Sequence, residues 1–182
     1  MKPFIDKADK MMDDLTQKML LSYTETYLAI IHRETGLEKF IVGGSWASHM
    51  IVTVLNEWDR CDDLNEYDQL ELVANDIDVF YGPFATATDS MVVDFHDIKK
   101  HEVTGFWELN TVKCHSLSAW GFLNNNDLNV TASCFEVDFT TDQLLTIKAS
   151  PRFWEFVFSA KEERTIKVVD SFDYSRYGAT TC

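Results

Sequence analysis

Positive charge is scarce in this sequence: 16 Lys and Arg stand against 30 Asp and Glu, a formal net charge of −14. That balance excludes a protein that holds nucleic acid by broad attraction to its phosphates. A phosphate-bearing ligand needs local help, and a divalent cation among clustered carboxylates supplies it by turning a repulsive acidic pocket into an attractive one. Most of the acidic residues read as a solvated surface. Cysteine is sparse as well. Cys61, Cys114, Cys134 and Cys182 fall at wide, irregular spacings, so no pair forms the knuckle of a zinc site. His96, His101 and His115 lie near Cys114 without a repeated ligand spacing, so no structural zinc is assigned.

Long apolar runs are missing too. Met1-Lys2-Pro3-Phe4-Ile5-Asp6-Lys7 lacks the uninterrupted apolar stretch of a signal peptide, and no later segment approaches a membrane span. The expectation is an intracellular, cytoplasmic protein with no membrane partner. There is no internal repeat, low-complexity tract or linker, and 182 residues at 46% hydrophobic content suffice for one core without disulfide or metal staples. A single soluble domain over residues 1–182 is therefore expected.

Apolar residues at helical spacing from about Ile5 to Glu34, including Met11, Leu15, Met19, Tyr23, Tyr27 and Ile30, predict a long opening helix ended near Gly36. Phe40-Ile41-Val42 reads as a short buried strand, stopped by Gly43-Gly44 and followed by a helix from Ser45 to roughly Trp58. The polar stretch from Asp59 to Gln69 reads as an exposed connection. Val73 to Tyr81 reads as a second strand, ended by Gly82-Pro83, and Thr86 to Val103 carries no clear pattern. A strand over Phe106 to Cys114, a helix from about Ser116 to Leu123, the turn Asn124-Asn125-Asn126 and a long strand from Asp127 to Phe139 follow. Leu144 to Lys148 suggests a further strand, and Pro151 opens a helix containing Phe153, Trp154 and Phe156. The class is α+β: a mixed β-sheet flanked by helices, with a long N-terminal helix.

Two short segments carry chemistry. At Gly43-Gly44-Ser45, two residues without Cβ let the backbone pass close to a phosphate, and the following helix presents its free N–H groups. Ser45 can cap that helix or hydrogen-bond a phosphate oxygen. In Asn75-Asp76-Ile77-Asp78-Val79-Phe80, strand alternation projects Asp76 and Asp78 from one face and Ile77 and Val79 from the other. Two neighbouring carboxylates are costly unless water, protons or a cation compensate them, and such oxygen-rich sites suit Mg²⁺ or Mn²⁺.

A hydrophobic strand, a Gly-Gly-Ser turn, a helix and then a strand with Asp76-Ile77-Asp78 resemble the DNA polymerase beta superfamily of nucleotidyltransferases. The likeness covers residues 38–81, with a weaker continuation to about 139, and the segment from Asp59 to Gln69 stands as an inserted loop. In general layout the chain is also similar to small nucleotidyltransferase-like proteins of phages and large viruses, which implies host-cell cytoplasm. The resemblance implies a nucleotidyltransferase-like fold and a third carboxylate on a neighbouring strand, for which Asp127, Glu136 and Asp138 are available. Parity favours Asp127, which shares a polar face with Asn129, Thr131 and Ser133. Asp138 is the alternative: a bulge near Ser133 would re-aim it, and Val137-Asp138-Phe139 fits the family's hydrophobic-acid-hydrophobic pattern.

Carried to function, the resemblance implies that Asp76, Asp78 and Asp127 hold Mg²⁺ or Mn²⁺. Gly43, Gly44 and Ser45 would grip the phosphates of a nucleoside triphosphate, ATP among them. The nucleoside monophosphate would pass to a hydroxyl acceptor, whether RNA, protein or small molecule. Lys148, Arg152, Arg164 and Lys167 are candidate cations for the triphosphate, with nothing in their spacing to single one out. Trp46, Trp107 and Trp120 are candidates to stack a base, against the commoner role of tryptophan in a core. Two other readings are a catalytically inert scaffold of the same fold and a metal-dependent phosphohydrolase or nuclease.

Overall fold

The computed structural model describes residues 14–61, 71–85, 91–101, 107–159 and 161–168. Phe40, Ile41 and Val42 are fully buried because their strand, β1 (Lys39–Gly43), runs inside the sheet with partners on both edges. A strand covered on both faces has no need of alternation, which is why it reads as a continuous apolar run. Each such side chain contributes about 1.5–3 kcal/mol of transfer free energy. The remaining strands are β2 (Asp76–Tyr81), β3 (Val92–His101), β4 (Glu108–Ser116), β5 (Ser133–Asp138) and β6 (Leu145–Ala149). They form an open six-stranded mixed sheet in the order β3-β4-β2-β1-β5-β6. β1 is antiparallel to both β2 and β5, whereas β2 and β4 run parallel.

The helices are α1 (Asp14–Thr35), α2 (Ser45–Cys61), α3 (Ala119–Asn124) and α4 (Pro151–Phe158). The side chains of Val42, Ile77, Val79, Leu109 and Phe135 form one sheet face and pack with α1, α2 and α4 into the main core. On the opposite face, Ile41, Val112, Cys114 and Cys134 pack with Phe122 and Leu123 of α3 in a smaller cluster. Cys114 and Cys134 are buried free thiols within it, and burial pushes the Cys114 thiol up to about 12. Among the described residues, no helix is long and apolar enough to cross a membrane.

The opening helix is rotated from the stripe its apolar residues suggest: Met19 and Tyr27 of that stripe pack against the core only partly buried. Leu20, Thr24, Leu28 and Ile31 are buried, whereas Tyr23 is 43% exposed. Steps of four residues advance the direction by about 40° each at 3.6 residues per turn, so a chain of such steps drifts off the buried face. Thr24 is tolerated inside because its hydroxyl donates to Leu20 O at 2.8 Å. The helix ends at Gly36, as its sequence implies, with the Gly36 N–H donating to His32 O. Residues 1–13, with Met11, lie outside the described residues, as does the part of the expected connection at 62–69. α2 continues through Cys61, three residues beyond the expected Trp58.

The long strand expected over Asp127 to Phe139 is the main correction. Ser133–Asp138 is the strand; Leu128 makes an isolated antiparallel bridge to Val168, and Asn129–Thr131 forms a 3₁₀ turn. Asparagine side chains capture the backbone there. Asn126 Oδ1 accepts from Leu128 N and from the Thr131 hydroxyl, and its Nδ2 donates to Thr131 O. Asn129 donates to Thr165 O and accepts from Lys167 N. Side-chain to backbone bonds of this kind, local at Asn126 and long-range at Asn129, compete with a ladder. Pro151, by contrast, opens α4 as expected, behind Ser150, whose hydroxyl accepts from Phe153 N.

Candidate functional site

Gly43 is the last residue of β1 and stands directly opposite Asp78 in the antiparallel ladder. The glycine turn and the carboxylate pair therefore meet at one end of the sheet. Gly44 has φ +78, a left-handed backbone that side chains rarely tolerate, and this conformation swings the chain from β1 into α2. Its N–H donates to Ser133 O at 3.2 Å, and its carbonyl accepts the first helical bond, from Ser48 N at 3.1 Å. Ser48 and Ser133, both buried, share a 2.7 Å hydrogen bond that ties the first turn of α2 to β5. Gly44 thus occupies the cap position that Ser45 was a candidate for, and Ser45 is the first helical residue. Glycine has no side chain with which to satisfy the leading N–H groups of the helix, of which those of Trp46 and Ala47 belong to fully buried residues.

Asp76 and Asp78 lie on one face of β2 and are part-buried, while Ile77 and Val79 are fully buried on the other. The side chain between the two carboxylates is one that acidic-residue counting passes over: Asn110 of β4. It stands in register with Asp78, and its Nδ2 donates to Asp76 Oδ2 and to Asp78 Oδ1, each at 3.1 Å. Asn110 is only 8% exposed, and its Oδ1 is buried with no hydrogen-bond partner. Burial pushes the Asp78 carboxyl above its ordinary value; the Asn110 bond opposes this and the neighbouring Asp76 charge adds to it. Among the described residues no Lys, Arg or His forms an ion pair with Asp76 or Asp78.

Asp127 does not join them. It lies in the connection between α3 and the 3₁₀ turn, off any strand, where its charge acts on Arg152. Asp138 sits opposite Lys39, at the other end of β1 from Gly43, about 13 Å along the strand from Cys134 at a strand's rise per residue. Its carboxylate is engaged in a turn, accepting from both the backbone and the hydroxyl of Thr140, which hold it below the usual carboxylate range. Glu136 stands opposite Ile41, two residues from the glycine row. Among the described residues, no three His, Cys, Asp or Glu side chains gather as a metal-holding group.

The cations fall in two places. Lys148 pairs across from Cys134, which pairs across from Gly43, and Lys100 of β3 pairs across from Asn110. One row across the sheet therefore reads Lys100, Asn110, Asp78, Gly43, Cys134, Lys148, with a lysine at each edge. Arg152 instead donates to Leu123 O and Asn126 O, and it lines a cleft with Lys167, Asn129, Glu155 and Glu163. Arg164 donates to Val157 O. Of the tryptophans, Trp46 is fully buried, Trp107 donates to Ala74 O, and Trp120 is 48% exposed on α3. Comparison with known proteins gives no match to a family model, to a curated protein or to a solved structure.

Proposed function

We propose that this chain is a metal-dependent nucleotidyltransferase with a nucleotidyltransferase-like fold, transferring a nucleoside monophosphate from a nucleoside triphosphate to a hydroxyl acceptor. The observation that carries the reading is the pairing of Gly43 with Asp78, which sets a side-chain-free helix entry beside two carboxylates. The donor set fits a hard divalent cation. Asp76 and Asp78 offer anionic oxygens from one strand face, and their mutual repulsion and partial burial are what a cation relieves. Mg²⁺ or Mn²⁺ bound there would neutralise phosphate charge and acidify an acceptor hydroxyl.

The chain's own part follows from its local structure. Phosphate oxygens enter the open space beside Gly44 at the start of α2, with the helix dipole adding attraction. Ser45 contributes its hydroxyl at the same entry. Asp76 and Asp78, stiffened by the Asn110 amide, fix where the triphosphate sits relative to the acceptor. Lys100 and Lys148 supply positive charge from the two edges of the row.

Incubation with each labelled triphosphate, Mg²⁺ or Mn²⁺ and a mixture of RNA, protein and small-molecule acceptors is expected to label one acceptor class and release pyrophosphate. The Asp76→Asn plus Asp78→Asn variant is expected to be silent. Equal labelling by wild type and variant sinks the assignment. One observation favours a second reading, the same fold without turnover: the residue between the carboxylates is a neutral amide. Triphosphate binding without label transfer to any acceptor selects that reading.

A further inference from the structure

The two ends of the Asn110 amide are treated very differently. Its nitrogen carries two N–H groups, and each has a carboxylate oxygen at 3.1 Å. The orientation is forced, because only a donor satisfies two carboxylates. Its oxygen is buried and has no donor, in a side chain that is 8% exposed. Buried carbonyl oxygens without a partner are rare, and each calls for a physical explanation.

The empty acceptor has an energetic consequence. Turning the amide over by half a rotation exchanges nitrogen and oxygen with almost no change in shape, so packing does not resist it. On the oxygen side no hydrogen bond is lost, because none exists, but the two N–H groups that arrive there cost about 1–3 kcal/mol each unless an acceptor receives them. On the nitrogen side the two bonds to Asp76 and Asp78 are lost, and without a cation this makes the turn unfavourable. With a divalent cation between the carboxylates the balance reverses. The cation repels N–H hydrogens and attracts an amide oxygen, a ligand that hard cations accept readily beside carboxylates.

We propose that Asn110 is the third oxygen ligand of a divalent cation held by Asp76 and Asp78, and that its amide turns over when the cation binds. The proposal rests on the reading that this carboxylate pair takes a divalent cation. It removes the need for Asp127 or Asp138 at the site. The metal-free protein holds the pair together through N–H donors; the loaded protein holds the cation through three oxygens from neighbouring strands.

Mn²⁺ is the probe, with binding to the full chain followed by the loss of the free-ion electron paramagnetic resonance signal. Wild type is expected to bind, and Asp76→Asn plus Asp78→Asn to lose binding. Asn110→Leu, of similar volume with no polar atom, is expected to bind at least tenfold more weakly. Asn110→Asp, which keeps an oxygen and adds a charge, is expected to bind at least tenfold more tightly. Nuclear magnetic resonance of the Asn110 side-chain NH₂ group supplies a second readout: saturating Mg²⁺ shifts it in wild type to the position of an amide no longer bonded to carboxylates. Unaltered Mn²⁺ affinity in the leucine variant, or no tightening in the aspartate variant if the leucine variant fails to fold, overturns the proposal and leaves the two-carboxylate site standing. An Asn110 NH₂ signal unmoved by saturating Mg²⁺ does the same. Absence of Mn²⁺ binding by wild type removes the cation reading and the proposal together.

Discussion

Phe122 packs its ring over the bare α-carbon of Gly43, so a β-carbon there would lie 2.2 Å from the ring's Cζ. Gly43→Ala is therefore expected to destabilise by about 1–3 kcal/mol, the usual cost of overpacking. In a Phe122→Leu background the same substitution is expected to cost less, and a double-mutant cycle in urea measures the difference. Gly44→Ala meets open space but a left-handed backbone, and is expected to cost about 1–2 kcal/mol whatever stands at 122. A Gly43→Ala cost that Phe122→Leu leaves unaltered would show that another contact constrains the turn.

The raised Asp78 pKa gives a pH dependence with a definite sign. Its folded form holds the proton more tightly than the unfolded chain does, so ionisation costs stability. That cost is absent below the ordinary carboxyl value of 3.8 and grows as pH rises through the folded value. In chelator, Asp78→Asn is expected to be more stable than wild type at pH 7, with the advantage vanishing near pH 3. Asn at 78 still accepts from Asn110. Urea melts at both pH values read the difference, and a variant less stable at pH 7 contradicts it.

Mg²⁺ or Mn²⁺ with a nucleoside triphosphate is expected to raise the melting temperature of the wild type. A ligand at one hundred times its Kd stabilises by about 2.7 kcal/mol. Asp76→Asn plus Asp78→Asn is expected to abolish the shift, whereas Asp127→Asn and Asp138→Asn are expected to keep it, because neither side chain joins the carboxylate pair. Loss of the shift in Asp127→Asn would return that residue to the site.

Arg152→Met is expected to destabilise by about 1–3 kcal/mol, since it removes the donor that Leu123 O and Asn126 O share at the end of α3. The aliphatic stem is kept, so the loss reports the guanidinium: its two hydrogen bonds and its attraction to Asp127. Denaturant titration measures it, and a neutral outcome means that water replaces the guanidinium there.

The elements legible in the sequence were those whose signal is strictly local. Phe40-Ile41-Val42 announced a strand buried on both faces, Pro151 a helix start, and Asp76-Ile77-Asp78 two carboxylates on one face. Where tertiary contacts decide, the reading failed. Asn126 and Asn129 bind backbone groups that alternation had assigned to a ladder, and this removed Asp127 from the strand face that had recommended it. Asn110 escaped because its significance depends on β4 lying parallel beside β2, a pairing that no local pattern encodes.

The bond from the Gly44 N–H to Ser133 O joins residues far apart in the chain, so the turn takes its shape only once β5 has docked. Its conformational entropy is then surrendered during folding rather than on ligand arrival. An incoming phosphate meets a cradle already set, and affinity is not spent on ordering it. The Gly44 amide should accordingly exchange with solvent deuterium only through large-scale opening of the sheet, with or without a ligand in place.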